Sequence, residues 1–156
     1  MALEQRYLEI AEKTGGPILE LRAAAGWAAI PLARAGYRVV GVDMSGGPLD
    51  EFQEELDRED RDVGHRIHVF QDIATLKLAD PDFSLAIVAY DDGPSRPEAL
   101  QVTAAAARHL APGGVLALDL AGVAHLRRFE LEPVLKSAGL ELTSIGSGSL
   151  VTATKR

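Results

Sequence analysis

Four acidic residues lie within or shortly after apolar runs, at positions where a carboxylate can bind a ligand. Glu20 lies within the first run, and Asp43, Asp72 and Asp91 come after the second, third and fourth runs. Open α/β sheets bind ligands at the carboxyl ends of their parallel strands, so acids at these positions are typical of a ligand site. A carboxylate accepts strong charge-assisted hydrogen bonds, and Asp43 is placed to accept the hydroxyls of a ribose. The sequence therefore predicts a nucleotide-binding edge.

Three of these acids also have an ordinary structural interpretation. Asp43 can cap a neighbouring backbone or pair with Arg22, and Asp72 is typical of a turn. The segment Asp91-Asp92-Gly93-Pro94 is favoured to be a plain turn, with an acid/base pair or a cation site as the alternatives. Two adjacent carboxylates without further ligands do not predict a metal site, so no metal is expected.

The histidines give a second set of candidates. His125 follows the fifth apolar run and is a candidate base, although a lone histidine is more often structural. His109 is predicted to contact the last carbonyls of its own helix. Neither a Ser-His-Asp order nor a phosphate-binding Gly-Lys-Ser loop occurs in the sequence. The histidines therefore supply one candidate base, His125, and the sequence predicts no Ser-His-Asp triad.

Apolar periodicity predicts five helices and seven strands that position these residues. The helices cover residues 3–13, 26–35, 48–60, 97–110 and 126–138, and the strands cover residues 17–21, 38–42, 66–70, 83–90, 115–120, 140–145 and 150–154. The segment Ala111-Pro112-Gly113-Gly114 is predicted to be a turn before the fifth strand. Strands that alternate with helices imply a parallel sheet covered on both faces. The Gly146-Ser147-Gly148 hairpin makes the last strand antiparallel.

Composition narrows the class of protein. The 156 residues are 47% hydrophobic and 25% charged, without linker or repeat, so residues 1–156 are predicted to form a single domain. The formal net charge of −7 argues against a nucleic-acid partner. The absence of cysteine excludes a disulfide scaffold and fits a cytoplasmic location. Neither a signal peptide nor an apolar run that could cross a bilayer is visible, so no membrane association is expected.

Four segments, in this order, give the chain a family resemblance. They are Ile18-Leu19-Glu20-Leu21 before the first turn, Val39-Val40-Gly41-Val42-Asp43 closing the second strand, Gln71-Asp72-Ile73 after the third, and His109-Leu110-Ala111-Pro112-Gly113-Gly114 before the fifth. With these segments the chain resembles the class I S-adenosylmethionine (SAM)-dependent methyltransferases over nearly its whole length. The resemblance implies a three-layer α/β Rossmann-like methyltransferase fold, with a mostly parallel seven-stranded sheet whose last strand is antiparallel.

The resemblance also implies that SAM is the cofactor and that particular residues bind it. Glu20 precedes the turn under the methionine moiety of SAM. Asp43 would bind the ribose hydroxyls, and Met44 would pack on the adenine. Asp72 would accept a hydrogen bond from the adenine amino group, with Ile73 beside it.

The same resemblance places the methyl acceptor at the end of the fourth strand. Tyr90 and Asp91 lie there, and Tyr90 is counted among the cofactor-binding residues. Catalysis would be mainly in-line positioning, with Asp91 or His125 as the base that deprotonates a small-molecule acceptor.

The turn after the first strand departs from the family's pattern. The family has glycine at three positions where this chain has Arg22, Ala24 and Gly26. Glycine lets backbone amides approach a ligand, so two side chains at such positions predict weakened SAM binding. The Arg22 guanidinium is long enough to reach Glu20 or Asp43 and to fill the charge site itself.

Two functions of different class follow from these observations. One is SAM-dependent methyl transfer to a small molecule. The other is a repurposed, non-catalytic member that acts as a partner subunit or binds another ligand. The segments that cap the acceptor in many relatives are short here, so the pocket is predicted to be shallow or closed by another subunit, in a homo- or hetero-oligomer. A dinucleotide-dependent oxidoreductase is a distant third, because the antiparallel last strand suits it less.

Overall fold

The computed structural model describes residues 3–21, 28–42, 48–70, 83–89, 96–119, 128–145 and 150–156. Six helices lie within these ranges: α1 Leu3–Thr14, α2 Ala29–Arg34, α3 Pro48–Asp57, α4 Arg61–His65, α5 Arg96–His109 and α6 Arg128–Ser137. Seven strands accompany them: β1 Ile18–Leu21, β2 Val39–Val42, β3 Ile67–Phe70, β4 Phe83–Ala89, β5 Leu110–Asp119, β6 Leu140–Ile145 and β7 Leu150–Lys155.

The strands form a mixed seven-stranded sheet in the order β3-β2-β1-β4-β5-β7-β6. The pairs β1/β2, β2/β3 and β4/β5 are parallel, and β7 is antiparallel to both β5 and β6. This architecture confirms the predicted fold class, including the antiparallel last strand. Chain contacts divide the molecule into two compact units, Met1–Ala79 and Asp80–Arg156, while the single domain over residues 1–156 stays a prediction.

The first unit is built on the apolar strands β1 and β2. All four residues of β1 are buried, and so are Val39, Gly41 and Val42 of β2, because parallel strands lie in the interior of such a sheet. Helix α1 packs on α2 and contributes the fully buried Tyr7 and Ala11. Helix α2 packs on β2 with four buried residues among its six.

The two ends of α2 differ in how they are capped. At its amino end Ala28 occupies the cap position and supplies no side-chain hydrogen bond. At its carboxyl end the Arg66 guanidinium donates to the Ala33 carbonyl over 3.0 Å, and Gly36 follows with a φ of +103°. A cation at the carboxyl end of a helix complements the unpaired carbonyls there.

The second unit places β5 between β4 and β7. Strand β4 is buried from Leu85 to Val88, and α5 packs on both β4 and β5. Helix α6 packs on β6 and on α5. The Lys155 ammonium donates to the carbonyls of Ala107 and Leu110, over 3.1 and 2.7 Å, and so holds the carboxyl end of α5.

His109 confirms its predicted contact at the end of α5. Its Nδ1 lies 2.7 Å from the Ala105 carbonyl, one helical turn earlier. An imidazole at the last turn of a helix is favoured by the exposed carbonyls there. His109 is therefore a structural residue.

The predicted start of the fifth strand is wrong. The strand begins at Leu110 and runs through Ala111-Pro112-Gly113-Gly114, the segment expected to be a turn. Pairing with β4 is irregular there, since Leu110 faces Phe83 and Val115 faces Leu85. Gly113 has a φ of +82°, and a Cβ on Gly114 would lie 2.8 Å from the Ala111 carbonyl oxygen. The glycines therefore let the chain kink within the strand rather than leave it.

The predicted helix over residues 48–60 is also shorter than expected. Helix α3 ends at Asp57, and a separate helix α4 begins at Arg61. Asp60 between them has φ −60° and ψ 149°, an extended conformation that a continuous helix does not contain. No helix in the part of the chain described here is long and apolar enough to cross a membrane.

Candidate functional site

Parallel register brings the carboxyl ends of the strands in the first unit to one edge. Leu21 at the end of β1 faces Val42 at the end of β2, and Val42 faces Phe70 at the end of β3. The chain therefore leaves all three strands at the same edge, where open α/β sheets bind ligands. In the second unit Ala89 and Asp119 are likewise paired at the ends of β4 and β5.

Most of the predicted site residues follow directly after these strand ends. The structure describes Glu20, and the other predicted residues lie outside the described ranges: Arg22, Ala24, Gly26, Asp43, Met44, Asp72, Ile73, Tyr90, Asp91 and His125. Their roles stay predictions.

Glu20 is a buried acid inside an apolar strand. It is 2% exposed, between the buried Leu19 and Leu21, and faces Gly41 on β2. Because Gly41 has no side chain, β2 supplies no donor from a side chain opposite the acid. The carboxyl group instead accepts a hydrogen bond from the backbone amide of Ala29, the first residue of α2. Glu20 thus takes up one of the amides that a helix leaves unpaired at its amino end.

One oxygen of this carboxyl group is left without a partner. Among the described residues, Oε2 of Glu20 is buried and makes no hydrogen bond. A buried polar atom without a partner costs about 1–3 kcal/mol, so the sheet would be more stable with an apolar residue here. The presence of an acid at the ligand edge therefore points to a role other than stability.

Burial changes the protonation of Glu20. Desolvation raises its pKa to about 8, and the Ala29 amide opposes part of that rise because it stabilises the carboxylate. At neutral pH the group is therefore mostly the uncharged acid. Strongly perturbed pKa values at a ligand edge are typical of functional groups.

Asp119 is a further buried acid at a strand end, and it was absent from the predicted site. It is the last residue of β5 and 8% exposed. The sequence contains a signal for it, because Asp119 interrupts the apolar run Val115–Leu120 near its carboxyl end. An acid at that position satisfies the criterion that selected Asp43 and Asp91.

Away from this edge, acids of the first unit form ordinary surface pairs. Glu59 binds Arg34 through two hydrogen bonds, one of them 3.1 Å long from Arg34 Nε. The hydrogen bond from Arg34 lowers the pKa of Glu59. Within the described ranges, no cluster of three or more His, Cys, Asp or Glu could hold a metal ion.

Sequence comparison identifies the family. A family profile described as Methyltransferase domain matches residues 18–114, from the first residue of β1 to Gly114 in β5, which is more than half of the chain. The chain belongs to this methyltransferase family. Glu20 and the carboxyl ends of β1 to β4 lie in the matched region, and Asp119 lies beyond it. The resemblance to class I SAM-dependent methyltransferases is thus confirmed.

Solved structures of methyltransferases share the fold of this methyltransferase domain. The glycopeptide N-methyltransferase MtfA complexed with S-adenosyl-L-homocysteine (SAH) matches with a TM-score of 0.75 and 20% identity, over 98% of this chain and 90% of that one. CcbJ from Streptomyces caelestis matches with a TM-score of 0.76 and 18% identity, over 98% and 89% of the two chains.

A third structure is that of magnesium protoporphyrin IX methyltransferase (ChlM) from Synechocystis PCC 6803 with bound SAM. Its TM-score is 0.77 at 18% identity, over 99% of this chain and 76% of that one. No curated protein matches the chain in sequence. At these identities the likeness concerns the fold, and substrates do not transfer with it.

Proposed function

We propose that the protein is a SAM-dependent methyltransferase that acts on a small molecule. The family and the fold support a methyltransferase, and two of the similar structures carry SAM or SAH. In this chain the supporting observation is Glu20. It is a buried acid near the carboxyl end of β1, and its Oε2 makes no hydrogen bond to the described residues. An acid kept there at a cost in stability is explained by a ligand that it binds.

The chemistry of Glu20 fits the methionine end of SAM. That end carries an ammonium group, whose N–H donors can satisfy the unpartnered Oε2. A cation beside a buried carboxylate also offsets the desolvation of its charge. Asp43 and Asp72 are proposed to hold the ribose and the adenine, as the family resemblance implies.

The residues of the chain contribute positioning and proton transfer. SAM, when bound, supplies an electrophilic methyl group. Glu20 and Asp43 hold the methionine moiety and the ribose of the ligand so that the acceptor meets the methyl group in line. Asp91 or His125 takes the proton that the acceptor loses, since aspartate and histidine are side chains that commonly act as general bases.

The residue types at positions 22–26 favour the second function, that of a non-catalytic member of the family. Arg22 and Ala24 stand at two positions where the family has glycine, and side chains there keep backbone amides away from a ligand. A protein with this turn could keep the sheet as a scaffold and serve as a partner subunit or bind another ligand. Methyl transfer is preferred because the scaffold role leaves the buried Glu20 unexplained.

Two accompanying expectations belong to the same proposal. The short stretch between residues 120 and 126 supports an acceptor pocket that a second subunit, identical or different, completes. The absence of cysteine supports a cytoplasmic location.

Calorimetric titration of the whole chain with SAM and with SAH tests the proposal. Binding at micromolar ligand supports the methyltransferase, and the absence of binding at millimolar ligand overturns it in favour of the scaffold. The variant Arg22→Gly separates the two further. Tighter SAM binding by Arg22→Gly would show that the Arg22 side chain hinders the ligand, and unchanged binding would contradict a role of the arginine in filling the charge site.

A further inference from the structure

Glu20 carries an inference beyond its place in the binding site. We propose that SAM binding and the ionisation of Glu20 are coupled, so that the ammonium group of the ligand replaces the proton of the buried acid. The inference rests on the proposed function and adds a pH dependence to it. In the bound state the carboxylate faces the ammonium, and the displaced proton passes to solvent.

Among the described residues, β1 and β2 supply no charge beside Glu20 that could replace the ammonium group of the ligand. Gly41 faces it on β2, and the strands β1, β2 and β4 contain no other titratable residue. On α2 the only charged residue is Arg34, which is largely exposed and bound to Glu59. The nearest charged residues in sequence, Arg22 and Asp43, lie outside the described ranges.

Hydrogen bonding selects the ammonium group rather than the sulfonium as the partner of Glu20. Oε2 needs a donor, and the ammonium has N–H groups to give, whereas the sulfonium has none. SAH keeps the ammonium and lacks the sulfonium. Proton release is therefore expected with both ligands, and this distinguishes the two cationic groups.

The number of protons released on binding follows from the protonation of Glu20 in the ligand-free protein. With a pKa of about 8, Glu20 is almost fully protonated at pH 6.5. An ion pair in the buried site holds the carboxyl ionised, so about one proton leaves for each ligand bound. The same linkage makes the association constant rise roughly tenfold per pH unit below the pKa of the free protein.

Calorimetry at pH 6.5 in two buffers of different ionisation enthalpy measures the protons released on binding SAM or SAH. The wild-type protein is expected to release about one proton with either ligand. Glu20→Gln, which keeps the shape and one acceptor oxygen, is expected to release close to none and to bind more weakly. Glu54→Gln, an exposed position on α3, is the matched control and is expected to behave as wild type.

The outcomes separate this inference from the proposed function. Binding without proton release, or equal release by Glu20→Gln and wild type, overturns the coupling and leaves the methyltransferase standing. Release with SAM alone overturns the assignment to the ammonium group. Absence of binding by the wild-type protein overturns both proposals.

A second measurement covers the case in which Glu20→Gln fails to fold or to bind. Carbon-13 NMR of the wild-type protein labelled in its glutamate side chains follows each carboxyl group through a pH titration. One carboxyl signal is expected to titrate near pH 8 without ligand and below pH 6 with saturating SAM. A set of glutamates that all titrate near 4.5 in the free protein overturns the inference.

Discussion

Strands β1 and β5 each contain residues that an ordinary buried strand avoids, but at opposite ends. β1 has the acid Glu20 near its carboxyl end, and β5 has Pro112-Gly113-Gly114 near its amino end. Among the described residues, Oε2 of the acid has no hydrogen-bond partner, whereas the glycines let the β5 chain approach β4 closely. The carboxyl end therefore carries a feature that costs stability, and the amino end carries one that maintains the structure. Ligands bind at the former end of such sheets.

Two glutamates of the first unit show the same contrast in electrostatic terms. Glu20 has no cation beside it among the residues that the structure describes, and burial raises its pKa to about 8. Glu59 is bound by Arg34 near the surface, and that hydrogen bond lowers its pKa. Identical side chains thus respond to pH in opposite directions, because one has lost water and the other has gained a cation.

The largest expected effect is a loss of stability with rising pH that depends on Glu20. Between pH 4.5 and about 8 the acid is protonated in the folded protein and ionised in the unfolded chain. The folded state then binds more protons, so its stability falls as pH rises, by on the order of 3 kcal/mol between pH 5 and 8. Urea unfolding at several pH values measures this, and Glu20→Gln should remove the decline. An equal decline in both proteins would contradict the assigned protonation.

The amino end of β5 provides the next largest effect. In Gly114→Ala the new Cβ would lie 2.8 Å from the Ala111 carbonyl oxygen and 3.0 Å from that of Phe83. Both are backbone atoms, so the strand has to shift, and we expect a loss of about 1–3 kcal/mol in urea unfolding. Gly64→Ala is the control, since nothing lies within 4 Å of its Cβ position and its φ is ordinary. Equal stability of the two variants would show that β5 does not need the close approach.

A smaller effect is expected at the carboxyl end of α5. Lys155→Met keeps most of the apolar length of the side chain but removes the donors to the Ala107 and Leu110 carbonyls. We expect a loss of about 1 kcal/mol in thermal unfolding. Arg156→Met is the control, because its contact with Glu141 is 3.5 Å long and exposed. The contact at Lys155 would be unimportant if both variants unfolded at the wild-type temperature.

The smallest effect is expected for Glu59→Gln, and only above acid pH. Arg34 lowers the pKa of Glu59, so the pair stabilises the fold above pH 4.5 and loses that contribution as pH falls through the lowered pKa. Solvent screens such a pair, so the thermal midpoint should change less than in Lys155→Met. A variant that instead lost stability mainly at alkaline pH would reverse the contrast with Glu20.

The sequence predicts the fold well because apolar strands and helical periodicity are local patterns. All seven strands and their sheet type are confirmed, as is His109 at the end of its helix. The start of β5 was wrong because Pro and Gly signal a turn locally, whereas pairing with β4 keeps them in the strand. The break between α3 and α4 was missed because the acidic pattern continues through Asp60.

Less of the site could be predicted. The family pattern points to Glu20, but its missing hydrogen bond and its raised pKa depend on burial in the sheet opposite Gly41, which is distant in sequence. Asp119 is not among the predicted site residues because it lies inside an apolar run, where the strand pattern hides its position at a strand end. The identity of an acid is visible in a sequence, whereas its solvation is a property of the packed protein.

The position of β7 in the sheet has a consequence for folding during synthesis of the chain. β7 follows β6 in sequence but lies between β5 and β6. A ribosome that has released the chain only through Ile145 therefore exposes β6 with no neighbouring strand, and β5 with one edge open. Docking of β6 must wait for residues 150–155, so nascent chains stalled before that point present β6 with both edges unpaired and β5 with one, and unpaired edges of this kind aggregate readily.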